Sequence, residues 1–495
     1  MSIDFSLIIP ELLILSSFLF VLLLLVFSSV TKLRWLSYSC ILVVIAAMAL
    51  TFVFKDRMGI VSDNFLEVSK ISNFFRYLFL FSGAGLLISL IVSKVEKPGI
   101  YALILISIFG AMSLGLSSNL LSLLMFLEIV TVSSYFIPTL KFEKIDWLSY
   151  LRYVIFGIIS TFLFIYLFSF IYGISGSLSL NVNFTNIDIN KVNILLIIVH
   201  IVIMVIMSIR LSLFPFHILF PSLAKDSGFF TTLFFSILVI PANLLVFKEI
   251  FEKYNFLDFK FTIYIILLFL CLTILFFNIA AIYQKNIWKF LAFSNVVQIC
   301  FIIIDYYLFP PLEELSGITP YLPIYLISTS ALIIGLETYR KYKLKTNWVD
   351  FLEDIKGAIR TAPVLTFSLS VILISLIGIP GTAGFLIKQS FISFINVGIK
   401  FEGITGFAIS ISIFLIINYL IIFYYYGRII LSMWSKPKTD IYLKSKKVKL
   451  NLFEESSPYL LSLAFIILCS IIILALGIYG IINPTLSKIL FPLFK

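Results

Sequence analysis

Val364-Leu365-Thr366-Phe367-Ser368-Leu369-Ser370-Val371-Ile372-Leu373-Ile374-Ser375-Leu376-Ile377-Gly378-Ile379-Pro380-Gly381-Thr382-Ala383-Gly384-Phe385-Leu386-Ile387-Lys388 decides the reading of this chain. It opens a run, Val364 to Val397, that is almost wholly apolar, broken once by the Gly/Pro cluster and then charged at Lys388. An ammonium near the middle of a bilayer costs roughly 2.5 to 3.5 kcal/mol on insertion scales, so such residues face a water-filled cavity or a partner and mark ion pathways. Glu128 and Arg210 sit equally deep in two further apolar segments. Three ionisable groups inside three separate apolar runs, two of them interrupted by proline, point to a protein that moves ions or protons.

Composition bounds the class. Of 495 residues, 61% are hydrophobic and 12% charged, against roughly 25% charged in a soluble domain. A hydrocarbon core about 30 Å thick needs about 20 apolar residues per helix, and on that ruler the chain holds about 14 spans. They are expected near 7–28, 34–54, 73–93, 99–117, 119–139, 149–173, 192–219, 229–250, 262–284, 288–304, 321–338, 363–396, 407–432 and 458–482. The runs are apolar all round and do not alternate, which argues for an all-α polytopic membrane protein over a β-barrel. The first run has Asp4 and Glu11 near its start and no basic n-region, so it reads as a retained span.

Short loops set the orientation. Lys94, Lys97, Lys141, Lys144, Arg152, Lys285, Lys289, the stretch from Arg340 to Arg360 and that from Lys436 to Lys449 all fall after odd-numbered spans. About two dozen basic residues on that side against roughly ten on the other place it in the cytoplasm and both termini outside. The net charge of +11 is this bias; no loop combines a basic patch with a fold that presents it to nucleic acid. Cys40, Cys271, Cys300 and Cys469 all lie in predicted helices with no CxxC pair, as buried small hydrophobes.

Pro215, in Leu211-Ser212-Leu213-Phe214-Pro215-Phe216-His217, and Pro380 fall in the seventh and twelfth spans. Each removes a helical hydrogen bond and frees carbonyls that need other partners. Two broken helices five spans apart suggest two inverted five-helix repeats, 99–250 and 262–434, preceded by three helices in 1–98 and followed by the last helix and short tail in 458–495. Taken singly, either kink is also compatible with a purely structural role.

Glu128 lies halfway along its span. Arg210 is the candidate cation for it, and His217 follows two helical turns later. A carboxylate beside a basic group, with an imidazole next in line, can pass a proton because a change in one charge alters its neighbour's affinity. The other reading is a static Glu–Arg pair that locks two helices together. Lys285 and Lys289 start the tenth span, where snorkelling to the interface stands beside a pathway entrance. Glu337 with Arg340, and Lys248 with Glu249, read as interfacial pairs, and His200 as structural. No phosphate-binding Gly loop, metal-ligand cluster or Ser/His/Asp grouping for covalent chemistry is present in the sequence.

Further stretches carry a resemblance. They are Phe5 to Leu22 with Ile9-Pro10-Glu11-Leu12; Leu127-Glu128 with Ser133, Ser134 and Tyr135; and Leu151-Arg152-Tyr153 with Gly157, Ser160 and Tyr172 to Leu178. Lys285-Asn286-Ile287-Trp288-Lys289 through Ser294, Gly378 through Lys388, and Tyr424-Tyr425-Tyr426-Gly427-Arg428 complete the set. Together they resemble the antiporter-like membrane subunits of respiratory complex I (NADH:quinone oxidoreductase), in their subunit N branch. Arg210 to His217 favours that branch over subunits M and L, and the short tail lacks the long lateral helix of subunit L.

The resemblance implies that Glu128 is the fifth-helix carboxylate and Lys388 the twelfth-helix lysine facing the far half-channel; with Arg210 and with His217 and Lys289 as read above they make the expected proton-pathway set, and Gly378, Gly381, Gly384, Pro215 and Pro380 the expected helix breaks. It implies a non-redox subunit of a proton-pumping NAD(P)H, ferredoxin or F420H2:quinone oxidoreductase. This chain would carry no cofactor, with quinone, flavin and Fe–S clusters on partner subunits. Its neighbours would be M-, K- and J-type membrane subunits in a prokaryotic plasma membrane. Arg210 holds the place of the family's seventh-helix lysine, and an arginine does not release its proton. The eighth-helix lysine has no counterpart in Ile237-Leu238-Val239-Ile240-Pro241, and Leu219-Phe220-Pro221-Ser222 replaces Trp-x-Pro-Asp. Two alternatives therefore stand beside pumping: an Mrp-type cation/proton antiporter subunit, and a structural subunit that has lost transport.

Overall fold

The computed structural model describes residues 5–27, 34–62, 65–95, 97–141, 147–180, 189–253, 260–308, 318–344, 352–385, 388, 405–436 and 456–482. The end of the predicted twelfth span, 389–396, the tail 483–495 and most of the loop between Ser435 and Ser457 lie outside them. The described residues are mostly helical. Eleven helices among the described residues are long and apolar enough to cross a membrane, and Pro98–Leu114, Ile198–Arg210 and Pro363–Ile377 are shorter apolar helices. Each falls on a predicted span, because an all-round apolar run with little charge leaves a helix as the way to satisfy its backbone in hydrocarbon.

The chain's described residues divide into two compact units, the first built from residues up to 266 apart from Ile91–Ser93, the second from those three and the described residues after 266. In the first unit the order is α1 (Ile9–Phe27), α2 (Arg34–Val53), β1 (Gly59–Ser62), β2 (Leu66–Val68), α3 (Lys70–Val92), α4 (Pro98–Leu114), α5 (Leu120–Lys141), α6 (Trp147–Ser175), α7 (Ile189–Arg210), α8 (Leu219–Ser227), α9 (Phe229–Phe234) and α10 (Ile240–Lys253). The antiparallel hairpin β1–β2 is not expected from the sequence; it buries Val61 and Val68 against Leu7 and Leu116.

Short polar residues start the helices that matter most. Asn119 Oδ1 accepts from the Ser122 N–H at 2.6 Å while Ser122 Oγ accepts from the Asn119 N–H at 3.4 Å, a reciprocal cap at the start of α5. Ser69 and Ser72 do the same for α3. α1 packs on α4, α4 on α5, and α5 on α6, which in turn packs on α7. The span Phe229–Phe251 is buried along nearly its whole length, Glu249 being half-buried. Within it Phe235–Val239 is π-helical, the widening expected where Pro241 lacks an N–H to continue the ladder. Asn243 Nδ2 donates to the Val239 carbonyl at 2.8 Å, satisfying a group next to the widened turn.

The second unit contains most of α11 (Lys260–Tyr283), then α12 (Ile287–Leu308), α13 (Ile318–Tyr339), α14 (Ala358–Thr361), α15 (Pro363–Ile377), α16 (Thr405–Trp434) and α17 (Ser456–Ile482). α13, α15 and α17 pack on one another, and α16 packs on α15. Asn286 Oδ1 caps α12 through the Lys289 N–H at 3.0 Å. A buried amide pair, Asn278 Nδ2 to Asn418 Oδ1 at 2.9 Å, joins α11 to α16.

The helices that lead into Pro215 and Pro380 both end before the proline. α7 ends at Arg210, and Pro215 lies in the non-helical stretch 211–218. α15 ends at Ile377 with Gly378 in the left-handed region at φ +86°, its N–H bonded to the carbonyls of Ile374 and Ser375. Pro380 follows two residues on, so glycine stops this helix and proline keeps it stopped.

Candidate functional site

In the first unit α5, α6 and α7 converge on Glu128. Arg210 Nη2 donates to Glu128 Oε1 at 2.7 Å and to Thr161 Oγ1 at 2.8 Å, and Thr161 Oγ1 donates to the same carboxylate oxygen at 2.9 Å. Thr131, one turn along α5, donates to Glu128 Oε2 at 2.9 Å. The guanidinium also lies over the Phe164 ring, 5.5 Å from its centroid. The Arg210 side chain is 3% exposed and that of Glu128 26%. The carboxylate is therefore neutralised from the protein side while one edge remains reachable, through a groove of about 630 Å³ lined by Phe18, Leu22, Leu103, Met125 and Phe136.

Helix geometry explains the convergence. Positions 128 and 131 share one face of α5 at three-residue spacing, and 157, 161 and 164 share one face of α6. Gly157 allows the close approach: a methyl there would collide with the Tyr135 hydroxyl of α5. Arg210 is the last residue of α7, where a cation also meets the negative end of the helix dipole.

His217 is held at the break itself. Its ring stacks on Phe214 with centroids 5.8 Å apart, and Nδ1 lies 2.9 Å from the Pro215 carbonyl. These contacts fix it within the non-helical stretch, where the two-turn spacing from Arg210 expected of a continuous helix does not apply.

In the second unit Lys388 is 6% exposed. Its Nζ donates to the carbonyls of Leu376 at 2.6 Å and Ile377 at 2.7 Å, and sits 4.7 Å from the Tyr419 ring centroid. These are the last carbonyls of α15, which no helical N–H can reach once Gly378 turns the chain; the ammonium caps them and meets the helix's negative end. Gly384 brings the chain back against α15: its N–H donates to Ser375 Oγ at 3.1 Å, and a Cβ would collide with the Ser375 carbonyl. Gln298 Nε2 reaches the Leu376 carbonyl at 3.3 Å, and Tyr321 donates to Gln298 Oε1. Lys289, in the first turn of α12, is half-buried with Nζ 5.8 Å from the Phe293 centroid.

Two expected interfacial pairs are more deeply placed than the sequence suggests. Lys248 is 3% exposed, with Nζ 3.4 Å from Glu249 Oε1, and Glu337 is fully buried beneath a two-bond contact with Arg340. Both positions lie in the last turns of their helices, and both side chains are nonetheless buried. Sequence reasoning misses a third buried pair: Arg76 Nε and Nη2 bond Glu11 Oε1 and Oε2 at 2.6 and 3.0 Å, with further bonds to Asn73 Oδ1 and the Leu7 carbonyl. Its signal is two opposite charges inside predicted spans. Thr131, Thr161, Gln298 and Tyr321 carry no such signal, since neutral polar residues are ordinary inside membrane helices.

The described residues thus hold a buried ion pair at one broken helix and a buried lysine at another. The family model for the transmembrane region of NADH:quinone oxidoreductases and Mrp antiporters matches residues 117–417, and the chain belongs to that family. Among curated relatives, NADH-quinone oxidoreductase subunit N of Buchnera aphidicola is 27% identical over 403 residues, 80% of this chain and 79% of the relative. In fold the chain is similar to a chain of respiratory complex I from Thermus thermophilus, at TM-score 0.75 and 19% identity, covering 97% of this chain and 99% of that one. It is also similar to a chain of the Mrp complex from Dietzia sp. DQ12-45-1b, at TM-score 0.79 and 15% identity, covering 98% and 96%.

Proposed function

We propose that this chain is a proton-translocating, non-redox membrane subunit of a complex-I-like quinone oxidoreductase. The carrying observation is the Glu128 carboxylate, held at 2.7 Å by a buried guanidinium, bonded by two hydroxyls and still open along one edge. Arg210 keeps its proton at any physiological pH, so its part is electrostatic and the mobile proton belongs to Glu128. Lys388 is the second exchanging group. Electron transfer in partner subunits would switch the two in turn, opening one half-channel to each side of the membrane. On this reading the chain has 14 spans in two inverted five-helix repeats, with both termini outside. It joins M-, K- and J-type neighbours in a plasma membrane, and quinone, flavin and Fe–S clusters reside on other chains.

The fold likeness to the Mrp chain favours one second reading, gradient-driven cation/proton exchange. Proton movement per quinone reduced, in vesicles carrying the intact complex, separates the two. A stoichiometry that falls in Glu128→Gln with quinone reduction retained supports pumping. Exchange of Na⁺ for H⁺ with no electron donor present supports the antiporter.

A further inference from the structure

Thr131 and Thr161 each have one hydroxyl hydrogen and two acceptors within reach. Thr131 Oγ1 lies 2.9 Å from Glu128 Oε2 and 3.1 Å from the Glu128 main-chain carbonyl. Thr161 Oγ1 lies 2.9 Å from Glu128 Oε1 and 3.3 Å from the Gly157 carbonyl. A hydroxyl donates once and accepts twice, so each threonine can turn its hydrogen towards the carboxylate or away to a backbone carbonyl.

We propose that Thr131 and Thr161 are hydroxyl rotors that let Glu128 gain and lose a proton without rearrangement of the helices. The inference rests on Glu128 being the proton-exchanging group. When the carboxylate is charged, both hydroxyls donate to it. When it takes a proton, the new O–H needs an acceptor, and a hydroxyl that has turned to its backbone carbonyl supplies one. Oε1 is engaged by both Arg210 Nη2 and Thr161, whereas Oε2 accepts from the neutral Thr131 hydroxyl. The proton therefore adds to Oε2: an O–H bond forms there, Thr131 releases its own hydrogen bond to Oε2 and turns to the Glu128 carbonyl, and the carboxyl O–H donates to Thr131 Oγ1. Thr161 follows as the adjusting partner, because its oxygen keeps the bond from Arg210 in both states. The turned hydroxyl supplies that acceptor from within the helices, so the carboxyl O–H does not depend on the open edge of the site for one.

The test uses the intact complex in vesicles, with Thr131→Val, Thr131→Ser, Thr161→Val and Thr161→Ser beside Glu128→Gln, reading protons moved per quinone reduced at matched assembly. Valine keeps the shape and removes the hydroxyl; serine keeps the hydroxyl. The rotor account expects Thr131→Val to lower protons per quinone to near the Glu128→Gln value, Thr161→Val to lower it less, and both serine variants to stay near wild type. A difference infrared spectrum should show the carboxyl band that Glu128→Gln removes moving to higher frequency in Thr131→Val, its O–H having lost an acceptor. If Glu128→Gln lowers the stoichiometry but both valine variants retain it with an unmoved band, the rotors are overturned and Glu128 stands. If Glu128→Gln itself leaves the stoichiometry unchanged, the reading of Glu128 fails first.

Discussion

Lys388 occupies the space that a side chain at Gly378 would need: a methyl on Gly378 would collide with Lys388 Cδ. The glycine thus serves twice, ending α15 in a left-handed turn at φ +86° and leaving room for the ammonium to return to the carbonyls of Leu376 and Ile377. Helix break and buried charge are one arrangement.

Gly378→Ala should therefore behave as a lesion at Lys388. The left-handed backbone alone costs an alanine about 1–2 kcal/mol, and the collision adds displacement of the lysine. Gly381→Ala is the control, since Gly381 is also left-handed at φ +96° but a methyl placed there would meet nothing within 4 Å among the described residues. Proton stoichiometry should fall in the first variant and hold in the second, while both lose some thermal stability.

Arg210→Leu strands Glu128 beside two hydroxyls without its guanidinium. Breaking a buried pair costs ~3–5 kcal/mol, and the partial exposure of Glu128 puts this one at the low end. A lower unfolding temperature of the purified complex checks it. Arg210→Lys keeps the charge and, unlike arginine, can release a proton, so it should assemble normally and retain or exceed wild-type proton movement.

Glu11 and Arg76 tie α1 to α3 away from the Glu128 cluster. Glu11→Gln should reduce assembly or thermal stability by the same ~3–5 kcal/mol scale with protons per quinone unchanged in the complex that does assemble. Replacing both partners by leucine should recover much of the loss, because no buried charge is then left alone.

Much of this is legible in the sequence, for physical reasons. Uniform apolar runs dictate the helices, since hydrocarbon allows few alternatives. The pairing of Glu128 with Arg210 follows from two opposite charges that burial forces together. The turn at Gly378 is marked by its Gly/Pro cluster. His217 is expected next in line after Arg210, yet the non-helical stretch carries it onto Phe214 and the Pro215 carbonyl, because helical spacing stops applying once the helix ends. Lys388 finds backbone carbonyls as its partners, which no residue pattern announces. Thr131 and Thr161 are hidden for a similar reason: their meaning depends on distances to Glu128 that arise only when α5 and α6 pack.

The most direct test of the central claim is proton movement per quinone reduced in vesicles of the intact complex, comparing wild type with Lys388→Met at matched assembly. A working pump in this subunit predicts fewer protons per electron with quinone reduction retained. An unchanged stoichiometry would contradict it and leave the chain a structural member of the membrane arm.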